Sequence, residues 1–452
     1  LAQNITQNIT KVVITGIGAI TPLANDFLKS WELLKNGKSA IDFITKFDPS
    51  NCRWKIAGEV KGFEPELYLS KKEILRLDPF VHYAVAAAAM AVQDAGLISS
   101  DKLQVTSNEL NDLKLNSNQN SSLVTRHSSL NYAGVIIGSS RGGITTIEKE
   151  LSKLLTPNSK LSSYLMPSTT ISMAASYAAQ KLGIKGYCLG ISNACASGTN
   201  AIGEAYRLIK NGYSNIMLAG GVEAPICRFC VEGYGISGAL SALNSPSASR
   251  PFDKKRDGFV IAEGACIMVL ESYESAVKRN ANIYAEIIGY GNTTDAFHIT
   301  KPDYIGETAA ILAALKEAEI LPENIDYINA HGTSTPLGDK TEAEAILKTF
   351  KKASEISVSS IKSVTGHMLA ASGAFEAACT AMSIKEGIVP PTINVTDKDP
   401  ECDINVITKK IKADIKTAIT NSFGFGGVNA VLVLKRAEKH QSRRAVEQKR
   451  RS

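Results

Sequence analysis

What most restricts the fold is a repeated pairing of apolar runs that lack polar alternation with helical stretches rich in alanine. Lys11-Val12-Val13-Ile14-Thr15-Gly16-Ile17-Gly18 is a continuous apolar run ending in glycine. A strand with one wet face would alternate, so this pattern predicts a strand covered on both sides. Residues 81–95, closed by Gly96, then read as an Ala-rich helix able to pack closely inside a layered interior. Further strand runs fall at 134–138, 187–191, 215–219 and 265–270, with a helix at 196–209. A second half repeats the plan, with strands at 283–290, 327–330, 356–359 and 430–434 and helices near 307–318, 340–351 and 370–384. The reading is a layered α/β fold made of two similar halves meeting near residue 275. No sequence identity between the halves is evident, so the duplication rests on element pattern.

The 452 residues are 44% apolar, enough for a large core, and length alone would allow about three domains. The net charge of +6 is matched by the tail alone, since residues 435–452 hold eight Lys/Arg against two Glu. A near-neutral body argues against a nucleic-acid-binding face, and the tail (436–452 beyond the last strand) reads as a disordered, solvated extension. Residues 99–131, dominated by Asn, Ser, Asp and Lys, read as a low-complexity, mobile surface insertion. No apolar run reaches the ~18 residues of a membrane span. Eight cysteines in so long a chain do not make a disulfide scaffold and fit a reducing compartment. Leu1 at the start suggests a processed precursor or a trimmed chain.

Three motifs carry chemistry: Asn193-Ala194-Cys195-Ala196-Ser197-Gly198, Asn329-Ala330-His331-Gly332-Thr333-Ser334-Thr335 and Lys362-Ser363-Val364-Thr365-Gly366-His367. Each lies where a strand pattern gives way to a turn or helix, where a side chain can be held exposed at the end of a buried sheet. Cys195 precedes an amphipathic helix (Ala201, Ile202, Ala205, Leu208, Ile209), whose free N–H groups are expected to lower the thiol pKa. His331 and His367 are flanked by glycine. His82, His127, His298 and His440 lack such a setting. The constellation is a nucleophile with two hydrogen-bond donors. Zinc would require more ligands, and Cys227-Arg228-Phe229-Cys230 is a lone CxxC without a second pair, so no metal is expected. Asn421-Ser422-Phe423-Gly424-Phe425-Gly426-Gly427 reads as a glycine-rich loop in which a phenylalanine can swing over a pocket. It matches no phosphate cradle.

Together these motifs resemble the β-ketoacyl-acyl carrier protein synthases I/II, the elongating condensing enzymes of dissociated fatty acid synthesis. The likeness runs from Lys11 to about Lys435 and includes Ser249-Arg250-Pro251-Phe252-Asp253 through Phe259 and Val389-Pro390-Pro391-Thr392-Ile393-Asn394. It implies the duplicated, five-layered αβαβα thiolase fold, with halves at 11–275 and 276–435, and a homodimer. It implies Cys195 as acylated nucleophile, and His331 and His367 as donors to the malonyl thioester carbonyl. Lys362 would be the family lysine, with Glu376, Asp339 and Glu342 as acidic neighbours. Thr333 and Thr335 would bind the phosphopantetheine arm. Phe423 would contact substrate, and Phe425 would gate the thiol and supply an oxyanion N–H beside that of Cys195. Lys72 and Arg76 would receive an acidic acyl carrier protein. No resident cofactor is implied, since substrates arrive on the carrier's phosphopantetheine.

Arg141, in Gly138-Ser139-Ser140-Arg141-Gly142-Gly143, stands where relatives place a small or apolar residue of the acyl pocket. The insertion and the tail also depart from the compact pattern. Asn-rich insertion into an otherwise bacterial-looking enzyme points to a plastid-type organelle, with a bacterial cytoplasm as the alternative. A polyketide ketosynthase would share the three reactive residues. A Cys–His thioester hydrolase would release free acid instead, and a non-catalytic carrier-binding subunit would tend to lose Cys195.

Overall fold

The computed structural model describes residues 10–98 and 128–438. The first half runs β1 (Val12–Ile20), α1 (Pro79–Asp94), β2 (Gly134–Gly138), α2 (Met173–Leu182), β3 (Cys188–Ile191), α3 (Ser197–Lys210), β4 (Ile216–Glu223) and β5 (Gly264–Ser272). The second runs β6 (Ala285–Thr294), α4 (Tyr304–Glu317), β7 (Tyr327–Asn329), α5 (Pro336–Thr349), β8 (Ser357–Ser359), α6 (Ala370–Glu386), β9 (Thr417–Gly424) and β10 (Val428–Lys435). Hydrogen bonding is continuous across ten strands, in the order β8-β7-β9-β10-β6-β1-β5-β4-β2-β3. Outward from the centre, each half repeats one sequence of strands, and β1 meets β6 antiparallel, with Val12 opposite Ile287.

The layers follow from what each helix covers. α1 and α2 pack on the first half alone, and α4 and α5 on the second, whereas α3 and α6 touch strands of both. Five layers result, αβαβα. α6 is buried on every side from Ala370 to Ile384, as a helix between two sheets must be. β1 is wholly buried because helices lie on both of its faces.

The internal repeat reaches single residues. A Cβ on Gly16 or Gly18 would lie 2.3 or 2.1 Å from the carbonyls of Ala91 and Ala87 in α1. On Gly289 or Gly291 it would lie 2.3 or 2.0 Å from those of Ala314 and Ala310 in α4. Both halves thus use Gly-x-Gly against two alanine carbonyls spaced one helical turn apart, so that the helix backbone can rest on the strand. This correspondence is visible only once the strands are superposed.

Several expectations need correction. The glycine-rich segment from Asn421 is not all loop: Asn421 to Gly424 finish β9, a strand absent from the pattern-based reading. Thr420, Asn421 and Ser422 mimic a turn in sequence, but they are buried and, for two of them, hydrogen-bonded, Ser422 to Thr199 (2.7 Å) and Asn421 to Glu342 (3.0 Å). The strand expected at 283–290 lies at 285–294. Of the insertion at 99–131, residues 99–127 lie outside the described residues, and 128–131 form a helical turn. Of the tail, 439–452 lie outside them, while Arg436 is anchored by Asp414 at 2.7 Å. Among the described residues no helix is long and apolar enough to cross a membrane.

Candidate active site

Cys195 leaves β3 on a turn strained at Ala194 (φ 46°) and stands just before α3. His367 holds the equivalent place in the second half, after β8 and before α6. The two central helices meet at their starts, where a Cβ on Gly198 would lie 2.3 Å from the Ala370 carbonyl. The duplication therefore brings together residues 172 positions apart. His331 arrives from the end of β7. The non-glycine residues with positive φ, Ser334 (71°) and Leu369 (47°), shape the two histidine loops together with Gly332 and Gly366.

His367 Nε2 lies 3.0 Å from Cys195 Sγ, and one ligand-type atom of each of Cys195, His331 and His367 lies within 4.8 Å of the others. The two imidazole rings are 5.4 Å apart and nearly perpendicular. These donors could in principle hold zinc, but tetrahedral bond lengths would separate sulfur and nitrogen by roughly 3.5 Å. The observed 3.0 Å is a hydrogen-bond distance. All three residues line a cavity of about 370 Å³, together with Tyr234, Phe259 and Phe423.

The expected lowering of the thiol pKa is overturned. Burial pushes Cys195 up to about 11, with Glu223 adding to the rise, while Lys362, Arg141 and the Phe425 N–H pull it down. The helix start offers less than expected because the N–H groups of Ala196 and Ser197 are already bonded to the carbonyls of Asn193 (3.0 Å) and Ala194 (3.3 Å). In the free protein, Cys195 alkylation by iodoacetamide should rise about tenfold per pH unit from roughly pH 7 to 9, tracking the thiolate. A plateau at neutral pH in intact-mass time courses would contradict this. Both histidines are held well below their usual pKa, first by burial and then by the Lys362 charge, so each is neutral.

Lys362 is buried, ion-paired with Glu376, and donates to the His331 carbonyl at 2.5 Å. It thereby fixes the histidine backbone. Of the expected acidic neighbours only Glu376 bonds to this lysine; Glu342 lies close enough to feel its charge, and both Glu342 and Asp339 spend their oxygens on backbone N–H groups. Glu342 accepts the N–H groups of His331 (2.8 Å) and Gly332 (2.7 Å). Asp339 accepts those of Ser334 (3.0 Å) and Phe252 (2.8 Å), and burial lifts its pKa to about 7 against the pull of Arg256. Thr333 and Thr335 face the cavity with their hydroxyls 3.0 Å apart. The Phe423 ring sits 6.0 Å from His331, whereas Phe425 is 37% exposed at the mouth.

Lys72 and Arg76 do not line the cavity. They lie on the short helix Lys71–Arg76, with the Arg76 guanidinium 4.2 Å from the Tyr164 ring centre. Arg141 also stands outside the cavity wall and donates to Tyr234 Oη at 2.7 Å. Cys227 and Cys230 are buried and join no group of three ligand-type side chains among the described residues. His82 is buried in α1 and His298 accepts turn N–H groups, while His127 and His440 lie outside the described residues.

Sequence reasoning missed Glu223 and Ser372. Glu223 is fully buried and gathers Ser139, Ser140 and Arg141 with the Ala370 N–H, tying that loop to the start of α6. Ser372 bonds His367. Its signal was a lone serine in the alanine-rich helix start, which periodicity does not flag.

A model of the β-ketoacyl synthase N-terminal domain matches residues 10–276, and one of the C-terminal domain matches 284–396. The chain belongs to the β-ketoacyl synthase family. It is 43% identical to the 3-oxoacyl-[acyl-carrier-protein] synthase 2 of Synechocystis over 433 residues, covering 94% of this chain and 98% of that one. A solved β-ketoacyl synthase from Burkholderia phymatum superposes with a TM-score of 0.84 at 32% identity, covering 95% of this chain and 100% of that one. A ketosynthase of type II polyketide synthesis, solved in complex with its acyl-carrier protein, superposes with a TM-score of 0.81 at the same identity and coverage.

Proposed function

We propose that the chain is a 3-oxoacyl-acyl carrier protein synthase, elongating carrier-bound acyl chains by two carbons. The observation that carries this reading is the 3.0 Å approach of His367 Nε2 to Cys195 Sγ in a cavity shared with His331. Cys195 attacks the acyl-carrier thioester, and the carrier's thiol leaves with the proton. Malonyl-carrier then places its thioester carbonyl between the two neutral imidazoles. As the bond to the carboxylate breaks and CO₂ departs, charge on that oxygen grows, and aimed donors stabilise the enolate more than the ground state. The enolate carbon attacks the acyl-Cys195 carbonyl. The N–H groups of Cys195 and Phe425 hold the oxyanion until the C–S bond breaks. Nothing is oxidised or reduced, so the reaction calls on no redox cofactor, and the charge that grows on each oxygen is met by the imidazoles and backbone N–H groups.

Thr333 and Thr335 are suited to the amides of the phosphopantetheine arm, Phe423 to the substrate's apolar part, and Phe425 to gating. Lys72 and Arg76 are suited to an acidic carrier. At edge strand β3 Leu189 (38%) and Tyr187 (49%) just before it are exposed, which suits pairing with a second copy. The Asn-rich insertion favours a plastid-type compartment over a bacterial cytoplasm, and organelle fractionation distinguishes them. The 43% identity to a 3-oxoacyl-[acyl-carrier-protein] synthase 2 favours this reading over the polyketide one, at 32%.

The test combines the protein with acyl-carrier and malonyl-carrier. A 3-oxoacyl product two carbons longer supports the assignment, and free acid without elongation replaces it with thioester hydrolysis. His367→Ala should keep acylation within about threefold of wild type and lower condensation by roughly 10²–10³, the usual loss for an oxyanion donor. Equal loss in both half-reactions would contradict that division of labour.

A further inference from the structure

We infer that Ser372 is a positioning residue that keeps the His367 proton on Nε2, the nitrogen facing Cys195. The inference rests on the reading of His367 as a donor to the substrate carbonyl. Ser372 is 2% exposed in the first turn of α6. Its Oγ accepts the Met368 N–H at 2.8 Å and stands 3.1 Å from His367 Nδ1.

A serine hydroxyl has one hydrogen and two lone pairs. One lone pair is occupied by Met368. If Nδ1 carried the imidazole proton, it would take the second, and the hydroxyl hydrogen would need another acceptor. Among the described residues Oγ has no other partner. That tautomer therefore strands a buried donor, which folded proteins avoid. With the proton on Nε2 the hydroxyl donates to Nδ1, and every group is satisfied.

The other side of the ring does not compete. Phe259 lies 5.1 Å away edge-on and His331 5.4 Å away, and neither offers Nδ1 a hydrogen bond. Nε2–H is then aimed at Sγ in the free protein and at the thioester oxygen during condensation. A histidine fixed in this way is a donor and not the base that removes the thiol proton. The hydroxyl acts through the imidazole and does not touch substrate.

The decisive measurement is nitrogen NMR of the full chain with ¹⁵N-labelled histidine, His367 being assigned by the signal missing in His367→Gln. The expected wild-type spectrum has Nε2 protonated and Nδ1 bare, and a proton on Nδ1 overturns the inference without any variant. Ser372→Ala should give a mixture of tautomers and lower the condensation kcat about tenfold, part of the 10²–10³ lost when a donor is removed outright. Acylation and the KM for malonyl-carrier should change less than about twofold, because neither needs the Nε2–H donor to be fixed. Ser372→Thr, which keeps the hydroxyl, should restore both tautomer and rate. An unchanged tautomer and rate in Ser372→Ala would also overturn the inference. Should the wild-type protein fail to elongate acyl chains at all, the tautomer result still stands on its own and the functional assignment alone falls.

Discussion

Cys195→Ala is expected to abolish acyl-enzyme formation and to lower chain elongation at least about 10⁴-fold, the scale of removing a covalent nucleophile. The loss should be selective. His331 and His367 remain beside the empty position, and their task in this mechanism is to stabilise the enolate. The variant should therefore still release CO₂ from malonyl-carrier, leaving acetyl-carrier behind. Intact-mass spectrometry reads the missing acyl adduct, and carbon release reads the surviving decarboxylation. An acyl adduct on another residue would transfer the nucleophile's role elsewhere. Loss of decarboxylation to the same degree would mean that the sulfur helps to stabilise the enolate.

The second large effect concerns the Lys362–Glu376 pair, each partner 1% exposed. Removing one member of a buried pair leaves the other without compensation and costs about 3–5 kcal/mol. Here the cost should be unequal. Glu376→Leu strands an ammonium that retains only the His331 carbonyl. Lys362→Met strands a carboxyl that burial already lifts to about 7 against the pull of Lys362, so it can become neutral instead. Urea denaturation should rank Glu376→Leu as the less stable single variant, with the double variant within about 1 kcal/mol of wild type because two apolar side chains replace the pair.

The pH dependence has a definite sign. A carboxyl whose folded pKa exceeds its unfolded value contributes stability that is present at low pH and lost as pH rises through the folded value. Lys362→Met removes the counter-charge that lowers this value, so the variant should be more stable near pH 6 than near pH 8 by more than wild type is. A double variant no more stable than the single ones would show that the pair is not the source of the penalty. All three variants should condense poorly, since Lys362 also braces the His331 backbone.

Much of the site was legible because its signals are local. Cys195 and the two histidines lie at junctions between apolar runs and glycine-flanked turns, and the periodicities of strand and helix read correctly around them. The resemblance in the motifs then indicated the family. The errors have local causes too. β9 was hidden because Thr420, Asn421 and Ser422 look like turn residues; backbone pairing with β10 makes them strand, and the bonds to Glu342 and Thr199 satisfy two of their buried side chains. The expected direction of the thiol pKa fails because burial of Cys195 among residues far away in the chain outweighs the start of α3. Neither fact is encoded within one window of sequence.

Taken alone, the amino-acid order determined the layered α/β character, the approximate elements and the placement of one thiol and two imidazoles at strand ends, since each depends on neighbours within a few residues. Tertiary structure decided the rest. It paired Gly16 and Gly18 with Gly289 and Gly291 as equivalent contacts. It gave Glu342 and Asp339, expected only as acidic neighbours of Lys362, the task of accepting backbone N–H groups. It placed the Ser372 hydroxyl on His367. The physical reason is that hydrogen bonds and burial act over a few ångströms in space, and only the pseudo-two-fold meeting of α3 and α6 brings such distances to residues 172 apart in the chain.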